Sequence, residues 1–129
     1  MSQIPRGLRY TKDHEWVLVE DAVATVGITD HAQHELGDIT FVELPHEDGN
    51  VQAGDEAATI ESVKASSPVY APVSGKVVEV NSQLEASPED INHDAYGAGW
   101  MVKIKISNAA EASNLMDAAG YDKMEKHGH

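Results

Sequence analysis

The run Trp100-Met101-Val102-Lys103-Ile104-Lys105-Ile106 alternates large apolar residues with lysines, the period of a half-buried β-strand. Such a strand turns Trp100, Val102, Ile104 and Ile106 to a core and Lys103 and Lys105 to water. Its backbone donors and acceptors need neighbouring strands, so the rest of the chain must supply them. It does so in short runs. Glu15-Trp16-Val17-Leu18-Val19-Glu20 is apolar and bounded by charge. Ala24, Val26 and Ile28 alternate with polar or small residues up to Thr29. Ile39-Thr40-Phe41-Val42-Glu43-Leu44 stops at Pro45, and Ala57-Ala58-Thr59-Ile60 and Lys76-Val77-Val78-Glu79-Val80 are further candidates. Short strands separated by glycine and proline predict a mainly β fold, a sandwich or barrel.

Three short helices are expected around it. Thr29 is placed to cap one that carries Ala32 and Leu36 on one face and stops at Gly37. Ser87-Pro88-Glu89-Asp90 has a capping serine, proline at the first helical position and acid in the first turn. Asn108 with Glu111 resembles a capping pair, followed by Ala112, Leu115, Met116 and Ala119 at helical spacing, with Gly120 as the stop. Residues 1–129 read as one domain with a core over about 8–121 and a loose tail over 122–129.

Nine basic residues stand against 22 acidic ones, for a net charge of −13. That balance argues against nucleic acid and anionic lipid, which need clustered lysine and arginine, and fits docking on basic partner surfaces. There is no cysteine, so disulfides and thiolate catalysis are excluded. No run is long and apolar enough for a membrane helix. The opening Met1 to Gly7 has neither a signal core nor an Arg-rich presequence. The expectation is a cytoplasmic bacterial monomer, or a mitochondrial matrix protein if the chain is a processed eukaryotic one.

One lysine stands apart. Lys64 lies in Glu61-Ser62-Val63-Lys64-Ala65-Ser66-Ser67, between two strand-like runs, with small residues after it that suit a tight turn. Gly54 and Gly75 punctuate the chain at similar distances on either side, as two halves meeting at a hairpin tip would. Nothing nearby in sequence looks able to activate an amine that is cationic at neutral pH. Lys64 therefore reads as a handle for an attached group, not as a catalyst. His31 and His34 are spaced for one helix face with Glu35, but no third and fourth ligands are evident, so the expectation is surface histidines and no metal. His127 and His129 fall on the tail. Trp16 and Trp100 are expected in the core, and Gly27, Gly37, Gly75, Gly97 and Gly99 to serve backbone conformation.

Around Lys64 the chain resembles the H proteins of the glycine cleavage system, a lipoyl-carrier family. The resemblance runs from about Leu8 to Tyr121. It rests on Tyr10, His14-Glu15-Trp16, Val26-Gly27-Ile28-Thr29 with Ala32-Gln33, Leu36-Gly37-Asp38 and Phe41-Val42-Glu43-Leu44-Pro45. Glu61 to Ala65, Tyr70-Ala71-Pro72-Val73-Ser74-Gly75, Glu79-Val80-Asn81, Gly97, Gly99 and Trp100 complete it, in order. The resemblance implies a hybrid barrel-sandwich of lipoyl/biotinyl type, with short peripheral helices and a C-terminal helix. It implies lipoate joined to Lys64 by an amide. It also implies three partners: glycine decarboxylase loading an aminomethyl group, an aminomethyltransferase passing the carbon on, and dihydrolipoamide dehydrogenase reoxidising the dithiol. The chain would be a shuttling substrate, not an enzyme. Glu61, Ser62, Val63 and Ala65 would guide a lipoate-attaching enzyme. Glu15, as an exposed acid, would contact the arm, or else serve a structural role at the start of its strand.

Two departures from the family pattern stand out: Pro68 after the small residues, where an acid is usual, and Asn92-His93-Asp94-Ala95-Tyr96 in a loop. Other readings share the plan. A biotin carrier would flank its lysine with methionine, which Val63 and Ala65 do not match. A lipoyl relay, handing its group to other acceptor domains, needs the same lysine and fold. A direct enzyme would need a nucleophile–base pair or metal set that the sequence does not display.

Overall fold

The computed structural model describes residues 3–127. Nine strands and five helices follow in order: β1 (Arg9–Tyr10), β2 (Glu15–Glu20), β3 (Val23–Ile28), α1 (Asp30–Leu36), β4 (Ile39–Glu43), β5 (Asn50–Val51), β6 (Glu56–Ser62), β7 (Ser66–Tyr70), β8 (Gly75–Val80), α2 (Gln83–Ala86), α3 (Asp90–His93), β9 (Val102–Ile106), α4 (Ala109–Ser113) and α5 (Ala118–His127). They form a six-stranded sheet ordered β1-β2-β3-β9-β8-β5 and a three-stranded sheet ordered β4-β6-β7. Every strand pair is antiparallel. The mainly β expectation holds.

Residues from both sheets make one apolar cluster. Val17, Val26, Val77 and Ile104 come from the large sheet, and Val42, Ile60 and Val69 from the small one. Each such side chain contributes about 1.5–3 kcal/mol on burial. A second cluster holds Tyr10, Trp16 and Tyr121, with the two tyrosine rings stacked at 4.8 Å.

The alternation in β9 is observed at Val102 and Ile104, both buried. It fails upstream. Met101 is buried and Trp100 only half-buried, because the strand begins at Val102. Before it, Met101 hydrogen-bonds Val26 and Asn81 as an irregular connector. Trp100 instead lies under the Lys103 ammonium, 5.2 Å from the ring centre, a cation–π contact. Trp16 is in the core as expected, its indole N–H donating to the Ala95 carbonyl at 2.9 Å.

α1 forms as its caps direct. Thr29 Oγ1 accepts from the Ala32 N–H, and Gly37 closes the helix at φ 75°. The second helical piece begins at Asp90, and Ser87 contributes its carbonyl to the Asp90 N–H instead of a capping side chain. A short α2 not foreseen in the sequence buries Leu84.

The C-terminal region departs most. Asn108 caps α4 through the Ala110 N–H, but Glu111 does not reach back to complete the pair. Both its carboxylate oxygens accept from Ser74. The helix ends at Ser113, and Met116 bridges to Tyr10 through two backbone hydrogen bonds. A new helix follows Asp117, whose Oδ1 accepts from the Gly120 N–H. Gly120 is therefore inside α5, not a stop. Residues 122–127 are helical, not loose, because Tyr121 anchors the helix in the second cluster. His129 lies outside the described residues.

Candidate functional site

β6 and β7 pair from Glu56↔Tyr70 to Glu61↔Ser66 and leave a tight tip at Ser62–Ala65. The Ser62 N–H donates to the Ala65 carbonyl at 2.8 Å, closing it. Ser62 Oγ accepts from the backbone N–H groups of both Lys64 and Ala65 at 3.2 Å. A serine hydroxyl thus satisfies two amides that a two-residue turn leaves outside the ladder. The Val63 N–H donates to the Asp38 carbonyl at 3.0 Å, tying the tip to the α1–β4 connector. The base of Lys64 is held rigidly while its side chain is exposed.

The ammonium leans back on α1. Lys64 Nζ donates to the Glu35 carbonyl at 3.2 Å. Carbonyls in the last turn of a helix lack intrahelical partners and carry partial negative charge, so they attract a cation. Gly37 makes room: a Cβ there would sit 3.1 Å from Lys64 Cε. Its φ of 75° with ψ of −153° is also a conformation that side chains rarely adopt.

Asn92 fixes this connector. Its Nδ2 donates to Gln33 Oε1 at 3.0 Å and to the Gly37 carbonyl at 2.9 Å, and its Oδ1 accepts from the Ile39 N–H at 2.9 Å. Sequence reading placed Asn92 in a variable loop. Its role was hidden because its partners lie more than fifty positions away.

Glu61, Val63 and Ala65 are exposed beside Lys64, with Val63 66% accessible. Phe41, opposite Glu61 on β4, is 50% accessible and extends the apolar flank. Phe41 entered the sequence reading only within a matching strand segment, and its alternation gave no sign of a place beside Lys64.

Glu15 is not an exposed acid. It is 2% accessible. Its carboxylate accepts from Thr11 Oγ1 at 2.6 Å and from the Tyr70 N–H at 3.1 Å. Burial pushes its pKa up, and those two hydrogen bonds pull against the shift. It joins β2 to the end of β7, the structural role of the two foreseen.

Beside the hairpin is a cavity of about 370 Å³. His14, Glu15, His31, Glu35, Ile60 and Pro68 are among its walls. Glu35 is also the residue whose carbonyl holds Lys64 Nζ, so the cavity and the ammonium share a neighbour. Pro68 lies within β7, an edge strand, where its missing N–H is tolerated.

His34 is exposed, as expected, but His31 is not a simple surface residue. Its Nδ1 lies 2.8 Å from Glu125 Oε1, and its ring stacks on His14 at 4.5 Å. His14 Nδ1 is 2.6 Å from the Tyr121 hydroxyl, which in turn lies 2.8 Å from Thr29 Oγ1. Burial drives the Tyr121 hydroxyl's pKa upward, so it stays neutral.

A lysine displayed on a stiff hairpin of the smaller of two packed antiparallel sheets defines a carrier of the barrel-sandwich class. The comparisons with known proteins make this specific. A sequence model of the family described as glycine cleavage H-protein matches residues 8–128. The glycine cleavage system H protein of Symbiobacterium thermophilum is 51% identical over 99% of this chain and 100% of its own. That of Alteromonas mediterranea is 58% identical over 95% of each. The crystal structure of a glycine cleavage system H protein from Mycobacterium marinum superposes with a TM-score of 0.86 at 36% identity, covering 98% of this chain and 100% of that one. The chain belongs to the glycine cleavage H-protein family, the lipoyl-carrying shuttle of that system. It is a carrier, not a catalyst. No helix among the described residues is long and apolar enough to cross a membrane.

Proposed function

We propose that Lys64 carries lipoate through an amide on Nζ, and that the arm so formed serves glycine decarboxylase, aminomethyltransferase and dihydrolipoamide dehydrogenase in turn. The observation that carries this reading is the placement of Lys64: exposed, at the apex of a tip whose amides are pinned by Ser62, and on a hairpin beside a cavity. The residues present fit the group. An amide nitrogen at Nζ keeps one N–H, which can still donate to the Glu35 carbonyl, while losing the positive charge. When bound, the lipoyl group supplies a disulfide for exchange and redox chemistry.

The chain's own residues do the positioning. Ser62 and the Val63–Asp38 contact fix the anchor. Gly37 gives the stem room to fold back. Leu36 and Pro68 offer apolar wall in the cavity beside the hairpin. Tethering raises the arm's effective concentration at each docked active site. Glu61, Val63 and Ala65 form the surface that a lipoate-attaching enzyme meets, with Ser62 setting its shape. The net charge of −13 suits basic docking faces. The relatives are bacterial, which supports a cytoplasmic setting.

The test is intact mass after incubation with a lipoate ligase, lipoate and ATP, with Lys64→Arg alongside. One lipoyl-sized increment on the native chain, missing in the variant, is expected. A variant that still gains it overturns the assignment.

A further inference from the structure

We propose that His14, His31 and Glu125 form a binding site for a divalent transition metal, with Zn²⁺ the best match. One ligand atom from each of the three lies within 4.8 Å of the others. They come from the β1–β2 turn, α1 and α5, so tertiary structure alone assembles them. Two imidazoles and one carboxylate, with a further position open to water or a guest, is a recurring donor set for zinc.

Two observations go beyond proximity. First, the Glu125 carboxylate is largely buried, and its Oε1 is fully so yet makes no well-angled hydrogen bond; its close neighbour is His31 Nδ1 at 2.8 Å. A buried carboxylate oxygen is costly to leave in that state, and a cation would satisfy it. Second, the Tyr121 hydroxyl at 2.6 Å from His14 Nδ1, itself backed by Thr29, orients that imidazole. Polar groups behind a ligating histidine commonly set its ring plane and tautomer, and Nε2 is then the nitrogen for the metal. The His14 and His31 rings lie face to face, 26° apart with centroids at 4.5 Å, so one ring must turn about its side-chain bonds for a nitrogen of each to address one point. Zinc–nitrogen bonds are about 2.1 Å, which asks His31 and Glu125 to part by roughly half an ångström. Side-chain rotation accomplishes that. The metal would tie α5 to α1 at the edge of the cavity beside the hairpin, where His14 and His31 are both wall residues.

The test is a Zn²⁺ titration against a chromophoric chelator. It uses the unlipoylated full chain carrying His127→Gln and His129→Gln, so that the terminal histidines do not contribute. Circular dichroism checks the fold of every variant. Expected is one site per chain, a rise in melting temperature on Zn²⁺ addition, and at least tenfold weaker binding in His31→Gln and in Glu125→Gln, with His34→Gln unchanged. His34 is exposed and His31 and Glu125 are only partly buried, so the comparison does not depend on His14→Gln folding. Loss of all binding with the terminal histidines, or binding indifferent to both His31→Gln and Glu125→Gln, overturns the proposal.

Discussion

Replacing Asn92 by alanine removes three hydrogen bonds at once from the connector that supports Lys64. Each contributes about 0.5–1.5 kcal/mol net, and the Ile39 N–H and Gly37 carbonyl lose their side-chain partner. Asn92 is only half-buried, so water recovers part of that loss. The expected cost is about 2–3 kcal/mol. For a chain of this length that lowers the melting temperature by about 6–12 °C. Asn92→Asp is a second arm. It keeps the acceptor for Ile39 but turns a carboxylate oxygen toward the Gly37 carbonyl and Gln33 Oε1, and should cost at least as much. Thermal unfolding followed by tryptophan fluorescence measures the stability. Intact-mass time courses with a lipoate ligase at 25 °C, where the variant remains folded, measure the functional consequence. Loosening the Gly37 connector frees the Lys64 stem, and loading should slow severalfold. Melting within about 2 °C of the parent, together with an unchanged loading rate, would refute the claim that Asn92 organises the site.

Gly75→Ala tests close approach in the large sheet: a Cβ there would fall 1.9 Å from the Lys105 carbonyl oxygen. The β8–β9 pair must separate, at a cost of roughly 3 kcal/mol or more, and equilibrium urea unfolding should show a lowered midpoint. Glu15→Ala strips the partner of Thr11 Oγ1 and the Tyr70 N–H, offset by relief of a buried carboxylate. A loss of about 2–3 kcal/mol is expected by the same assay, with an unchanged midpoint counting against the structural role.

Much of the architecture was legible because its signals are local. The alternation of Val102 with Ile104, the Thr29 cap and the Gly37 stop act through residues within one turn or one strand, and each formed where its chemistry points. The C-terminal misreading has the complementary cause. Leu115, Met116 and Ala119 keep helical spacing, yet Met116 gains two ladder hydrogen bonds with Tyr10, and that long-range pairing breaks the helix in two. The β2–β3 turn was likewise silent: Asp21 and Ala22 take positive φ, at 51° and 64°, without the glycine that usually announces such a turn. Trp100 and Met101 exchanged places because strand pairing starts one residue after them.

At the site, the sequence by itself determined the displayed lysine, since small residues after Lys64 and strand-forming runs on both sides demand a tip whatever the rest of the chain does. It also determined the acidic surface and the absence of thiols, which are matters of composition. Only the tertiary structure decided what surrounds the tip. Whether Glu15 is exposed or buried depends on where Tyr70 passes. The Asn92 clamp on Gly37 and the meeting of His14, His31 and Glu125 depend on elements far apart along the chain. Periodicity and capping are carried by neighbours in sequence, whereas a carboxylate's solvation and a side chain's partners are set by packing, which no local pattern encodes.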